Sequence, residues 1–188
     1  VVMDSDVVER LSAGNFHEWS PDGAWLVGQP ESATFQVAIV GADGNGYRVL
    51  GPGYDPAWSP AGDRIAYGLV ESEQASLRVF DLNTDEIRVL YEAPAGSQPT
   101  APAWLPGGVV VFAMDGDLWR LDPGSAEPVA LTTGLAVGVD GSANALDVSP
   151  NGRWIAFSTG SGDGTRVGIA SVDGGFEMLS LGDGAVSQ

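Results

Sequence analysis

The chain has 188 residues, 44% of them hydrophobic, with 27 Gly and 12 Pro, a size and composition that suit one turn-rich globular domain rather than a disordered segment. Twenty-five acidic residues stand against eight arginines and no lysine, a formal charge of −17 that repels phosphate and argues against nucleic acid or an anionic membrane as partner. Cysteine is absent, which excludes disulfides, thiolate nucleophiles and Cys-based zinc sites, and no apolar run approaches the ~18 residues of a membrane-spanning helix.

The chain opens on Val1-Val2-Met3-Asp4 and Asp6-Val7-Val8-Glu9-Arg10-Leu11, two short apolar runs around a turn. Then a bulky apolar residue, a tight Pro/Gly turn and an apolar run recur in that order. The copies are Trp19-Ser20-Pro21-Asp22-Gly23, Trp58-Ser59-Pro60-Ala61-Gly62, Trp104-Leu105-Pro106-Gly107-Gly108 and Val148-Ser149-Pro150-Asn151-Gly152. Proline presets φ near −65° and Gly takes the left-handed conformation that closes a short hairpin. Behind each turn stand Trp25-Leu26-Val27, Arg64-Ile65-Ala66-Tyr67, Val109-Val110-Val111-Phe112 and Arg153-Trp154-Ile155-Ala156-Phe157, which read as buried strands. Third strands are predicted over 36–40, 77–81, 117–121 and 166–170, and shorter, more polar outer strands over 47–50, 87–90, 129–131 and 176–179.

The repeated prolines fall at 21, 60, 106 and 150, a period of the kind found in blades, solenoids and arrays. Helical repeats need a 3.6-residue apolar period over ten or more residues, and Gly or Pro interrupts nearly every such window here. A β-sandwich does not require one turn motif to return regularly. Four antiparallel strands per unit of about 40–45 residues make a propeller blade, so the expected fold is an all-β propeller.

The Trp-Ser-Pro-Asp-Gly turn followed by an Ile-Ala-Phe-like strand resembles the TolB-type β-propeller repeat, most closely at Trp19 to Gly23, Trp58 to Tyr67 and Ser149 to Phe157. The third copy departs from it, with Leu105 for Ser and Gly107 for Asp, so hydrogen bonds from those side chains are expected to be lost there. The fourth has Val148 where Trp is expected. Such repeats occur in TolB, in the gating propellers of prolyl-oligopeptidase-like peptidases and in many bacterial extracytoplasmic proteins. The resemblance therefore implies a fold and says little of function.

The expected division is 1–11 as the outer strands of a preceding blade, blades at 12–50, 51–90, 91–131 and 132–180, and a lead-out at 181–188. Four full blades plus a leftover N-terminal hairpin read as an arc of a six- to eight-bladed ring, completed by missing blades or by another chain. The competing expectation is a closed ring of four blades with the first residues as an arm.

No nucleophile constellation is visible: there is no Gly-x-Ser-x-Gly elbow, and His17 is the only imidazole. In a propeller the connection from an outer strand to the next inner strand borders the central channel. His17 and Glu18 stand there, and the corresponding stretches are read as Tyr54-Asp55, Gln98-Pro99-Thr100 and Ser142-Ala143-Asn144. A polar ring of His17, Glu18, Asp55, Gln98 and Asn144 is the candidate binding site; the competing reading has each residue satisfying turn amides. Asp43-Gly44-Asn45-Gly46, Asp115-Gly116-Asp117 and Asp163-Gly164-Thr165 invite a calcium reading but lack a downstream bidentate carboxylate, and hairpin turns favour the same residues. No metal site and no cofactor are assigned. Trp19, Trp58 and Trp104 occupy equivalent places, which suits packing between adjacent blades.

The functional expectation is a non-catalytic propeller module that binds a protein or peptide outside the cytoplasm, using the channel mouth or the connections at 29–35, 70–76 and 92–103. The acidity either keeps a Gly-rich β protein soluble or serves a cation or basic partner. The alternatives are the substrate-gating propeller of a serine peptidase whose catalytic domain is not in this chain, and a lyase- or lactonase-type propeller, for which one His is poor provision.

Overall fold

Four repeats of one turn build four sheets of the same topology. The computed structural model describes residues 15–30, 35–135, 146–159 and 166–179, and the predicted hairpin at 1–11 and lead-out at 181–188 lie outside them. The first sheet is β1 (Asn15–Trp19), β2 (Trp25–Gln29), β3 (Gln36–Gly41) and β4 (Arg48–Pro52). The second is β5 (Tyr54–Trp58), β6 (Arg64–Glu71), β7 (Gln74–Asp81) and β8 (Glu86–Glu92). The third is β9 (Thr100–Trp104), β10 (Val110–Met114), β11 (Asp117–Leu121) and β12 (Val129–Ala130), and the fourth β13 (Asp147–Val148), β14 (Trp154–Thr159), β15 (Arg166–Ser171) and β16 (Phe176–Leu179). Each sheet keeps its strands in chain order, every neighbour antiparallel, as in a propeller blade.

The recurrent turn works as its sequence implies. Gly23, Gly62 and Gly152 have φ of 69°, 72° and 66°. The Ser20, Ser59 and Ser149 hydroxyls accept the backbone N–H of Trp25, Arg64 and Trp154 at 2.9, 3.0 and 3.0 Å. Where Leu105 removes that hydroxyl, the loop is one residue shorter and closes by a backbone bond from Leu105 N to Val109 O at 2.9 Å. Pro106–Gly108 then forms a 3-10 turn with Gly107 and Gly108 both at positive φ.

One predicted connection is a hairpin instead. Ser72 and Glu73 take φ of 51° and 67°, a two-residue primed turn that matches the twist of flanking strands. β6 and β7 therefore pair from Arg64–Asp81 up to Glu71–Gln74, and 70–76 is not a long loop. The outer strand β8 is also longer than expected, at seven residues, with Ile87 and Val89 on its exposed side.

Three buried clusters join successive sheets. Val27, Val37 and Ile39 of the first sheet pack on Trp58, Ile65 and Phe80 of the second. Ala57, Ala66, Leu77 and Val79 of the second pack on Trp104, Val110 and Phe112 of the third. Ala103, Val111 and Leu118 of the third pack on Ile155, Phe157 and Ala170 of the fourth. The four sheets are four blades of a propeller, and among the described residues no buried cluster joins the fourth sheet to the first. Inner strands of neighbouring sheets sit side by side, β1 by β5, β5 by β9 and β9 by β13.

Candidate functional site

Three of the four inner strands share an irregularity that alternation in sequence does not announce. In β1, Phe16 faces Gly28 and Glu18 faces Val27, which makes His17 an extra residue. In β5, Tyr54 faces Gly68 and Ala57 faces Ala66, and in β9, Thr100 faces Ala113 and Ala103 faces Val111. Each is a β-bulge just ahead of the Trp, of the kind that re-aims side chains next to sites. Asp55 and Ala101, both three residues before their Trp, take φ of 50° and 47°. Asp tolerates that conformation; Ala stores strain in it.

Register corrects the correspondence drawn from the sequence. Counted from Val148 and the three Trp residues, Glu18 matches Ala57, Ala103 and Asp147, and Asp55 matches Phe16 and Ala101. Gln98 lies ahead of β9, and Asn144 lies outside the described residues. Of the candidate ring, then, Glu18, Asp55 and Gln98 are not equivalent positions.

They fall into two groups. Glu18 Oε2 accepts the backbone N–H of Trp58 at 3.1 Å, across the first inter-sheet junction. Burial lifts the Glu18 carboxyl from its ordinary 4.5 to about 7; the Trp58 amide opposes this, and the like charge of Asp147 adds to it. Asp147 holds the repeat position of Glu18 in the fourth sheet, which a count from Val148 would have found. In the second group, Asp55 Oδ2 accepts the N–H of Ala101 at 3.0 Å, while the Asp55 N–H donates to Gln29 Oε1 at 3.2 Å. Tyr54 donates its hydroxyl to Pro99 O at 3.0 Å and also bonds Gln98, and burial pushes its phenol up to about 12. Tyr54 lies over Gly68, where an added Cβ would meet its ring at 2.2 Å. The bulge amides of Asp55 and Ala101 are thus each satisfied by a side chain of the preceding sheet.

The two buried Trp residues differ in detail. Trp104 Nε1 donates to Ala57 O at 3.1 Å. Trp58 Nε1 is buried with no acceptor.

The acidic-glycine segments are turns. Asp43 accepts Asn45 N at 2.9 Å and Asn45 Nδ2 at 3.1 Å, and Asp115 accepts Ser97 Oγ at 2.6 Å. Asp117 takes Thr132 Oγ1, Gly134 N and Leu135 N at 3.0, 2.9 and 3.1 Å. Asp163–Thr165 lies outside the described residues. Among the described residues no three His, Asp or Glu side chains gather as a metal site would require, and no described helix is long and apolar enough to cross a membrane.

No protein-family model matches the chain. Among solved structures, the putative TolB from Agrobacterium tumefaciens superposes with a TM-score of 0.72 at 20% identity, over 88% of this chain and 64% of that one. TolB from Acinetobacter baumannii gives 0.65 at 19% identity, over 86% and 42%. A puromycin-hydrolyzing peptidase of Mycobacterium tuberculosis gives 0.58 at 18%, over 86% and 30%. The chain thus spans less than two thirds of the length of these structures. Its fold is that of a TolB-like β-propeller, of which it presents four blades.

Proposed function

We propose that the chain is a non-catalytic TolB-like binding module that works outside the cytoplasm and takes a basic protein or peptide segment at the channel side of its inner strands. The observation that carries this is the placement of Glu18 and Asp147 at one repeat position in the first and fourth sheets, with the Asp147 charge adding to the upward shift of the Glu18 carboxyl. Two such carboxylates, in a chain of formal charge −17, favour a cationic group between them. His17, on the bulge beside Glu18, and Gln98 belong to the proposed rim, with Asn144; Asp55 joins it but also holds Ala101.

Fluorescence anisotropy with a labelled Arg-rich decapeptide and a Glu-rich one of equal length tests this. Saturable binding of the basic peptide alone is expected, weakened at least tenfold in the Glu18→Gln/Asp147→Asn double variant, with unchanged circular dichroism. Equal affinity of the variant, or equal binding of both peptides, overturns the reading. The peptidase's likeness in fold leaves the substrate-gating alternative as a second reading, which requires peptidase activity in a protein that joins these blades to a catalytic domain.

A further inference from the structure

Tyr54 and Asp55 are neighbours at the start of β5 and hold two backbone groups on either side of Thr100 in β9. The Tyr54 hydroxyl donates to Pro99 O, and Asp55 Oδ2 accepts the Ala101 N–H, each at 3.0 Å. Both holders are themselves fixed. Gln29 Oε1 of the first sheet takes the Asp55 N–H at 3.2 Å, and the Tyr54 ring lies over Gly68, where an added Cβ would collide with it. What they hold is strained. Ala101 has φ of 47°, a conformation that its Cβ opposes. Pro102 follows it, and a residue before proline favours extended backbone. Asp55, at the equivalent position with φ of 50° and Pro56 behind it, has a short polar side chain that tolerates this conformation. Alanine lacks one, so the third bulge takes from the second blade what the second bulge carries itself.

We propose that Asp55 is a positioning residue of the channel rim: its carboxylate latches Ala101 in the left-handed conformation, and it serves the binding of a basic segment through Ala101 rather than by touching that segment. This rests on the channel reading above and sharpens it. One Asp55 oxygen is committed to an amide of the next blade, so the side chain acts first on the shape of the rim. Gln98, three residues ahead of Ala101, is bonded to Tyr54, and the latch and the Tyr54 contacts therefore place residues 98–101 together. The shape passes from blade to blade, from Gln29 to the Asp55 amide and from the Asp55 carboxylate to the Ala101 amide.

Two measurements test it. Without ligand, amide hydrogen exchange at Ala101, followed by NMR, is expected to quicken at least tenfold in Asp55→Gly, which suits a positive φ but offers no acceptor. In Asp55→Asn, whose amide oxygen still accepts the N–H, it is expected to quicken no more than threefold. With the labelled Arg-rich decapeptide, Asp55→Gly is expected to bind at least tenfold more weakly with native circular dichroism, and Asp55→Asn no more than threefold. Adding Ala101→Gly to Asp55→Gly is expected to recover most of that loss, because glycine takes the left-handed conformation without a latch. A direct charge contact gives the opposite pattern, with Asp55→Asn as damaging as Asp55→Gly and no recovery from Ala101→Gly, and that result overturns the proposal. So does Ala101 exchange that is as slow in Asp55→Gly as in the wild type. A latch that holds in a chain that binds no basic peptide overturns the channel reading, and with it the role in binding, while the contact to Ala101 stands.

Discussion

Trp104 and Trp19 end the same strand in different blades and live in different surroundings. Trp104 is 7% exposed, its indole N–H bonded to Ala57 O and the Arg64 guanidinium 5.1 Å from its ring centroid. Trp19 is 54% exposed. One repeat motif therefore supplies both halves of a junction at every blade, and only the presence of a neighbouring sheet decides whether a Trp becomes core. A repeat unit cannot bury its apolar face alone, so the interface with its neighbour adds to the stability of each.

The widest separation should come from truncation. Trp104→Ala is expected to cost about 3–5 kcal/mol, the range for emptying a buried aromatic site, whereas Trp19→Ala should cost less than about 1 kcal/mol. Urea denaturation of the two variants checks this; equal losses would mean that Trp19 is packed as Trp104 is.

Next in size is the pH dependence centred on Glu18. Its folded carboxyl titrates at about 7 against an ordinary 4.5, so the folded state holds the proton more tightly than the unfolded chain. Its contribution is full below about 4.5 and is lost as pH rises through about 7, an effect on the order of 2–3 kcal/mol. Glu18→Gln keeps an acceptor for Trp58 N and removes the titration. The wild type should therefore lose stability relative to this variant between those pH values, and parallel curves would refute the buried placement of Glu18.

The turns make a smaller contrast. Gly152 has φ of 66°, and an added Cβ would sit 2.5 Å from Pro106 Cδ, while Gly23, at 69°, has nothing within 4 Å. Both Ala substitutions carry the left-handed penalty of about 1–2 kcal/mol. Gly152→Ala should lose more, because the third-blade turn lies against it, and equal melting temperatures would deny that contact. Smallest is the indole exchange. Trp104→Phe gives up a hydrogen bond and Trp58→Phe an unsatisfied donor, so the former should cost about 1 kcal/mol more in paired denaturation curves.

Most of the blade was legible in the chain. Ser20, Ser59 and Ser149 bond within their own turns, so the motif carries its own geometry, and Leu105 announces where that geometry changes. The hairpin at Ser72-Glu73 escaped because its central residues are not Gly or Asn, the residues that usually mark positive φ. The site was less legible. In the sequence Glu18, Asp55 and Gln98 stand out only as polar residues near inner strands, and their hydrogen bonds put them in separate roles across two junctions.

Local chemistry in the sequence determined the repeat, the strands and their antiparallel order, since Pro, Gly and Ser dictate backbone shape within a few residues. Tertiary structure decided the bulges, the equivalence of Glu18 with Asp147, and which Trp is buried. Those depend on where the neighbouring sheet puts its amides and its apolar face. A bulge shifts every later side chain by one position, and burial is a property of two surfaces, so neither can be read from one strand.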